Sequence, residues 1–252
     1  MDRELLVNLG LSKYKMCQED PKRFFMRSVV AGLYLGMATI LSYTLGCLLF
    51  KDALVASKIA VAFSFGIGLV AISLLGAELF TGNCFTSIMP VLDKQLKLHQ
   101  VFKMWIVCYI GNFIGIFIVC ILFVLSGVNQ VLMKEYMTTV MNAKMAIDPL
   151  PLFIRAILCN FVVCIASFAG TKLKSEAAKV VIIIVVVAAF VLPGFEHSIA
   201  NMGIFTVGFG ELQGAIGFDW LPLHMLLSTF GNIIGGSVLL GVPIYYMNVE
   251  KK

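Results

Sequence analysis

Six long apolar runs constrain this chain more than any other feature: roughly 24–50, 57–92, 101–127, 150–170, 178–210 and 219–247. About 20 residues of helix cross the ~30 Å hydrocarbon core of a bilayer, whereas a membrane β-strand needs only about 9–11 alternating residues. These runs are longer and do not alternate, so the expected fold class is an all-α membrane protein with six transmembrane helices. Charge content agrees. Only 13% of residues are charged and 60% are hydrophobic, against about 25% charged in a soluble domain. So little charge cannot cover a globule of 252 residues, which excludes a soluble enzyme or a nucleic-acid-binding domain. The solvent and first partner of the chain is the lipid bilayer.

Lysine and arginine counts set the expected topology, because cytoplasmic loops carry their excess. The N-terminal segment, the loops after the second and fourth runs, and the C-terminus hold six, three, three and two of them, fourteen of the 19. Both termini are therefore expected in the cytoplasm and the span count is even. The net charge of +5 follows from this asymmetry and does not call for nucleic acid. Residues 1–23 lack the short apolar core and small-residue cleavage site of a signal peptide. They read as a cytoplasmic segment with an amphipathic helix around Leu5–Met16. The division is then 1–23 N-terminal segment, 24–247 six-helix channel domain, and 248–252 cytoplasmic tail. The seven cysteines are odd in number, lie mostly inside apolar runs and form no C-x-x-C. They read as small buried hydrophobes, with no disulfide and no metal site expected, and no cofactor is implied.

The second and fifth runs each exceed 30 residues, well beyond one span, and each is interrupted midway by polar residues. The first interruption is Glu78-Leu79-Phe80-Thr81-Gly82-Asn83. The second is Pro193-Gly194-Phe195-Glu196-His197-Ser198-Ile199-Ala200-Asn201. Each has a Glu with an Asn five residues later. The runs that follow carry matching elements, Gly111-Asn112-Phe113-Ile114-Gly115 and Gly231-Asn232-Ile233-Ile234-Gly235, and Arg27 and Arg155 open the two halves. This is an internal repeat of three helices, about 24–127 and 150–247. Three is odd, so the halves insert in opposite senses. Inverted repeats with paired broken helices mark transporters and channels, with the breaks at mid-membrane. The Gly-x-x-x-Gly pairs Gly32/Gly36, Gly111/Gly115 and Gly231/Gly235 suit close helix packing.

Irregular backbone in lipid leaves N–H and C=O groups unpaired at several kcal/mol each unless protein or water satisfies them. A charge at that depth costs about 2.5–3.5 kcal/mol on the insertion scale. Two symmetric exceptions point to a polar path rather than a lipid face. The asparagines Asn83, Asn112, Asn201 and Asn232 fit equally well as clamps on the freed backbone. Thr81 and His197 point more strongly to function.

These segments resemble the two signature stretches of the formate/nitrite transporter family, and the resemblance extends over nearly the whole chain, including Ala156-Ile157-Leu158-Cys159-Asn160 in span 4. What it implies is a homopentamer in the inner (plasma) membrane, with an aquaporin-like protomer fold, spans 2 and 5 broken, and a pore in each protomer. It implies a central histidine at His197, a loop threonine at Thr81, a vestibule lysine at Lys144, and supporting residues Glu196 and Asn160. It further implies an outer apolar constriction at Phe65 and Phe190 and an inner one at Leu69, Leu79 and Phe80. The implied cargo is a small inorganic or carboxylate anion of a weak acid, formate or nitrite foremost and hydrosulfide close behind, with proton coupling left open.

Two other classes are weighed against it. A neutral-solute channel shares the inverted repeat but normally carries two Asn-Pro-Ala breaks, whereas Asn83 and Asn201 are followed here by Cys84 and Met202. An intramembrane enzyme would need His-Glu-x-x-His or a Gly-x-Ser-x-Gly elbow, and neither occurs. His99 and His224 take no role in this reading.

Overall fold

The computed structural model describes residues 2–213, 217 and 219–248, and all regular structure among them is helical. The chain opens with α1 (Asp2–Glu19), longer than the helix expected around Leu5–Met16, and turns into α2 (Pro21–Leu49) through the single residue Asp20. The Asp20 carboxylate accepts from the Arg23 N–H at 3.1 Å, and Pro21 sits at the first helical position, where its missing N–H leaves no bond unmade. The second apolar run becomes α3 (Leu54–Ser64), α4 (Gly66–Leu75), a break, α5 (Phe80–Thr86) and α6 (Ile88–Leu92). Next come α7 (Leu98–Ser126), α8 (Gln130–Met145) and α9 (Pro149–Lys172). The fifth run becomes α10 (Glu176–Val191), a second break and α11 (Ser198–Leu212). The sixth is α12 (Leu221–Ile234), a π-helical stretch Gly235–Gly241, and α13 (Val242–Met247).

Among the described residues five stretches are long and apolar enough to cross a membrane: Pro21–Leu49, Leu54–Leu75, Leu98–Ser126, Pro149–Lys172 and Leu221–Met247. The fifth apolar run yields no such stretch, because its break leaves pieces of 16 and 15 residues. Of the expected tail 248–252, residues 249–252 lie outside the described residues.

The glycine pairs seat two parallel helix pairs. A Cβ on Gly32 would lie 2.2 Å from the Asn112 carbonyl oxygen, and one on Gly115 would lie 2.0 Å from that of Val29. α2 and α7 therefore meet backbone to backbone. In the second half a Cβ on Gly231 would lie 2.5 Å from Ala156 Cβ, and one on Gly235 2.1 Å from the Ile157 oxygen, which joins α12 to α9. The π-helical stretch continues this contact. At Gly236 a Cβ would meet Asn160 Nδ2 at 2.6 Å and Cys164 Sγ at 2.9 Å, and Ser237 Oγ donates to the Cys84 carbonyl at 2.8 Å. The last helix is thereby drawn onto α5.

α1 and α8 cover opposite halves of the repeat. α1 is pinned by the Arg3 guanidinium, which donates to Asp93, a carboxylate that also accepts from the Tyr245 hydroxyl of α13. α8 lies between the third and fourth apolar runs. Its Met133, Met137 and Met141 are fully buried, one per turn.

Candidate pore at the two helix breaks

Each break is made the same way. α4 ends at Gly76, whose φ of +74° lets the chain reverse, and the Ala77 N–H returns to the Ile72 carbonyl at 3.1 Å. In the second half Gly194 has φ +78° and the Phe195 N–H returns to Phe190 O at 3.1 Å. The Glu78 N–H then donates to Arg27 O at 3.1 Å and the Glu196 N–H to Arg155 O at 3.4 Å. An asparagine from the next helix closes each gap. Asn112 Nδ2 donates to Ser28 O and Glu78 O at 2.7 and 2.9 Å, and its Oδ1 accepts from Phe80 N–H at 2.9 Å. Asn232 Nδ2 donates to Ala156 O and Glu196 O at 2.8 and 2.9 Å, and its Oδ1 accepts from Ser198 N–H at 2.8 Å. These two asparagines are clamps on freed backbone, as the cost of unpaired groups in lipid requires.

The other asparagines join charged triads. Lys144 Nζ, from α8, donates to Glu196 Oε2 at 2.7 Å and Asn201 Oδ1 at 2.9 Å, and Asn201 Nδ2 donates back to Glu196 at 2.9 Å. Lys13 Nζ, from α1, donates to Glu78 Oε2 and Asn83 Oδ1, both at 2.8 Å. Lys13 is thus the counterpart of Lys144, and α1 precedes the three spans of the first half as α8 precedes those of the second. The sequence reading missed Lys13. Its signal was present in the matching Glu and Asn of both breaks, which demand a partner cation at each.

The breaks meet at one hydrogen bond. His197, the N-cap of α11, accepts from the Ala200 N–H at its Nδ1 (3.0 Å), so the single proton of a neutral ring sits on Nε2. That Nε2–H faces Thr81 Oγ1 at 3.1 Å. The Phe190 ring stacks on the imidazole at 5.8 Å and 25°, and Phe65 meets Phe190 edge-on at 6.4 Å. Asn160 lies behind Thr81, donating to its carbonyl at 3.1 Å and to Asn232 O at 2.6 Å.

A cavity lies on either side of this junction. One, of 440 Å³, is lined by Phe65, Phe190, His197, Glu196 and Lys144, with Lys58 and Arg155. The other, of 550 Å³, is lined by Leu69, Leu79, Glu78, Lys13, Arg27 and Lys179, with a hydroxyl set including Ser73 and Thr171. Each wall carries three cations against one carboxylate. Thr81 lines neither cavity and stands between them through His197. Phe80, expected beside Leu69 and Leu79, lines neither; it packs edge-on to Tyr109 at 5.0 Å and Trp105 at 6.5 Å.

Two charge-lined cavities, an inverted repeat and a buried polar junction between them define a multi-pass membrane channel or transporter. The family described as Formate/nitrite transporter matches residues 3–246, and the chain belongs to that family. It is 31% identical over 234 residues to the nitrite transporter NirC of Escherichia coli, covering 92% of this chain and 86% of that one. Among solved structures it resembles an "FNT family ion channel" with TM-score 0.90 at 26% identity, covering 98% and 99% of the two chains. A second, "Pentameric formate channel with formate bound", has TM-score 0.80 at 22% identity, covers 92% and 99%, and supports the fold. These relatives are channels and transporters, not enzymes.

Proposed function

We propose that this protein passes small monovalent weak-acid anions, formate or nitrite foremost and hydrosulfide next, through a pore centred on the Thr81–His197 pair. The observation that carries the reading is the charge of the two cavities: three cations face one carboxylate at each mouth, an arrangement that concentrates anions and gives a neutral-solute channel nothing. By the lysine and arginine asymmetry we assign the Lys13 end and both termini to the cytoplasm and the Lys144 end to the exterior of the inner membrane. The bound-formate pentamer among the structural neighbours supports a homopentameric assembly, with residues 24–247 as the channel domain.

A bare anion pays far too much to cross an apolar neck, whereas a neutral acid does not. Lys144 and Lys13 raise anion concentration at the two mouths. Phe65 and Phe190 strip water on one side of the junction and Leu69 and Leu79 on the other, with Phe80 behind them holding the start of α5. His197 offers its Nε2–H to the anion in place of Thr81. A second proton on the ring would have to displace the Ala200 N–H from Nδ1, so hydrogen-bond donation is the role the ring is built for. Thr81, held by Asn160, takes the bond back when the anion leaves. Glu196 and Asn201 hold Lys144 at its post.

The test is flux into proteoliposomes of formate, nitrite, hydrosulfide, acetate, lactate and glycerol across pH 5 to 8. Saturable uptake of the weak-acid anions without glycerol permeation is expected, and its loss in His197→Ala. Glycerol permeation with no anion uptake would establish the neutral-solute channel instead.

A further inference from the structure

His224, near the start of α12, is fully buried, and neither ring nitrogen has a hydrogen-bond partner. A neutral imidazole carries one donor and one acceptor, and burying both unmade is costly. Its Nε2 lies 3.8 Å from Glu196 Oε2, beyond the reach of a hydrogen bond. That oxygen is the one that holds Lys144 and Asn201. The charged groups facing the ring are Glu196 on the break and Lys144 on α8; Arg155, from α9, lines the same cavity, and α11 presents the Phe205 ring edge-on at 5.1 Å.

The other mouth differs here. Aligning Gly111-Asn112 with Gly231-Asn232 sets Met104 against His224. The second cation beside Glu78 is instead Arg27, whose Nε lies 3.8 Å from Oε1. Arginine stays charged at every accessible pH, whereas imidazole is the side chain that changes charge near neutrality.

We propose that His224 is a positioning residue that competes with Lys144 for Glu196, so that acid at the Lys144 mouth frees the lysine to recruit anions while the Lys13 mouth does not respond. When His224 takes a proton, its cation draws the carboxylate across the gap, and the Lys144 ammonium loses its anchor and turns to the cavity. When His224 is neutral, Glu196 keeps the lysine neutralised. This rests on the anion reading of the pore and on the assignment of Lys144 to the exterior.

The test is uptake of radiolabelled formate and of nitrite by intact cells, with cytoplasmic pH clamped and external pH varied from 5.5 to 8. Half-saturation and maximal rate are read separately for wild type, His224→Met, His224→Gln and Lys144→Met. The ratio of half-saturation constants, His224→Met over wild type, should be near one at pH 8 and rise as external pH falls, towards a limit of about fivefold, the factor set by one unit charge attracting another at ~4 Å in water. His224→Gln, which keeps hydrogen-bonding capacity without titrating, should behave like the methionine variant. A ratio independent of pH in both variants overturns the proposal, as does a glutamine variant with the wild-type profile. The glutamine arm decides if the methionine variant does not reach the membrane. Lys144→Met should raise half-saturation at pH 5.5, where the freed lysine recruits anions. If it does not, or if wild type takes up neither anion saturably, the anion reading of the vestibule fails, and this proposal with it.

Discussion

Lys144 and Glu196 form an ion pair whose side chains are 13% and 3% exposed, and Lys13 and Glu78 one whose side chains are 18% and 3% exposed. Removing one partner of such a pair strands a charge at a cost of about 3–5 kcal/mol, whereas removing both is often near neutral. Lys144→Met leaves Glu196 with Asn201 Nδ2 as its near donor at 2.9 Å, and Glu196→Gln leaves the ammonium facing an amide. Because these remaining polar partners lessen the stranding, a double-mutant cycle on Lys144→Met and Glu196→Gln should return a coupling on the order of 2–3 kcal/mol, the upper part of the range for residues in one hydrogen-bonded network. The cycle Lys13→Met with Glu78→Gln should agree within about 0.5 kcal/mol, the usual scatter of such measurements. Lys51 and Glu135, 49% and 51% exposed, supply the control, because exposed pairs couple by about 0.2–1 kcal/mol. The measurement is reversible unfolding of purified protein by SDS in mixed micelles, followed by far-UV circular dichroism. Couplings at both ends no larger than the control would mean that the triads are solvated charges and that the symmetry carries no energetic weight.

Asn112→Leu and Asn232→Leu should each cut the yield of folded protein sharply, because each strands three buried groups at about 1–3 kcal/mol apiece; equal yields for wild type and both variants in size-exclusion chromatography would contradict the clamp role. Gly115→Ala and Gly235→Ala, whose Cβ would fall 2.0 and 2.1 Å from a carbonyl oxygen, should destabilise by about 1–3 kcal/mol through forced helix separation. Gly194→Ala meets nothing within 4 Å and should cost about 1–2 kcal/mol, from its left-handed backbone alone; the same SDS titration ranks the three. At Asp93, burial acts to raise the carboxyl pKa, but hydrogen bonds from Arg3, Gln95 and Tyr245 and the Arg3 charge carry it below its ordinary value. A depressed pKa gives stability that is complete above the unfolded value of about 4 and lost as pH falls through the folded one. Proteolysis of α1 should thus be unchanged from pH 8 to 5 and accelerate only below about pH 4, and acceleration already at pH 6 would refute the assignment.

The breaks were legible in the sequence because polar residues in mid-membrane have to be explained, and Glu78, Asn83, Glu196 and Asn201 repeat at one spacing. The clamp asparagines were visible but undecided, since an amide can serve a pore or a backbone equally well; only the bonds of Asn112 and Asn232 to Glu78 O and Glu196 O separate the two. α8 and Lys13 were not legible as parts of the repeat because both lie outside the apolar runs, where hydropathy gives no boundary. The stripe Met133, Met137, Met141 was the signal available, one residue every helical turn facing the core. Phe80, which the resemblance sets at the inner constriction, packs differently from Leu69 and Leu79. It begins α5, where its N–H is held by Asn112 and its ring turns toward Trp105 and Tyr109 rather than the cavity. The π-helical stretch Gly235–Gly241 had no sequence signature beyond its glycines, since its register is imposed by contact with Asn160 and Cys164.

All seven cysteines are free thiols and buried. Those inside the bundle are spent on packing or on weak bonds to the break carbonyls, such as Cys164 to Thr81 O and Cys108 to Glu78 O. Cys17, on α1, has its thiol pKa pushed up by burial and by the Glu78 charge, so it is a poor nucleophile at neutral pH. The native chain is consequently a quiet background for water-soluble maleimides and methanethiosulfonates. A lone cysteine introduced in either vestibule can be tracked as a spectroscopic or blocking reporter with no native thiol removed, and sidedness follows from which compartment the reagent is added to.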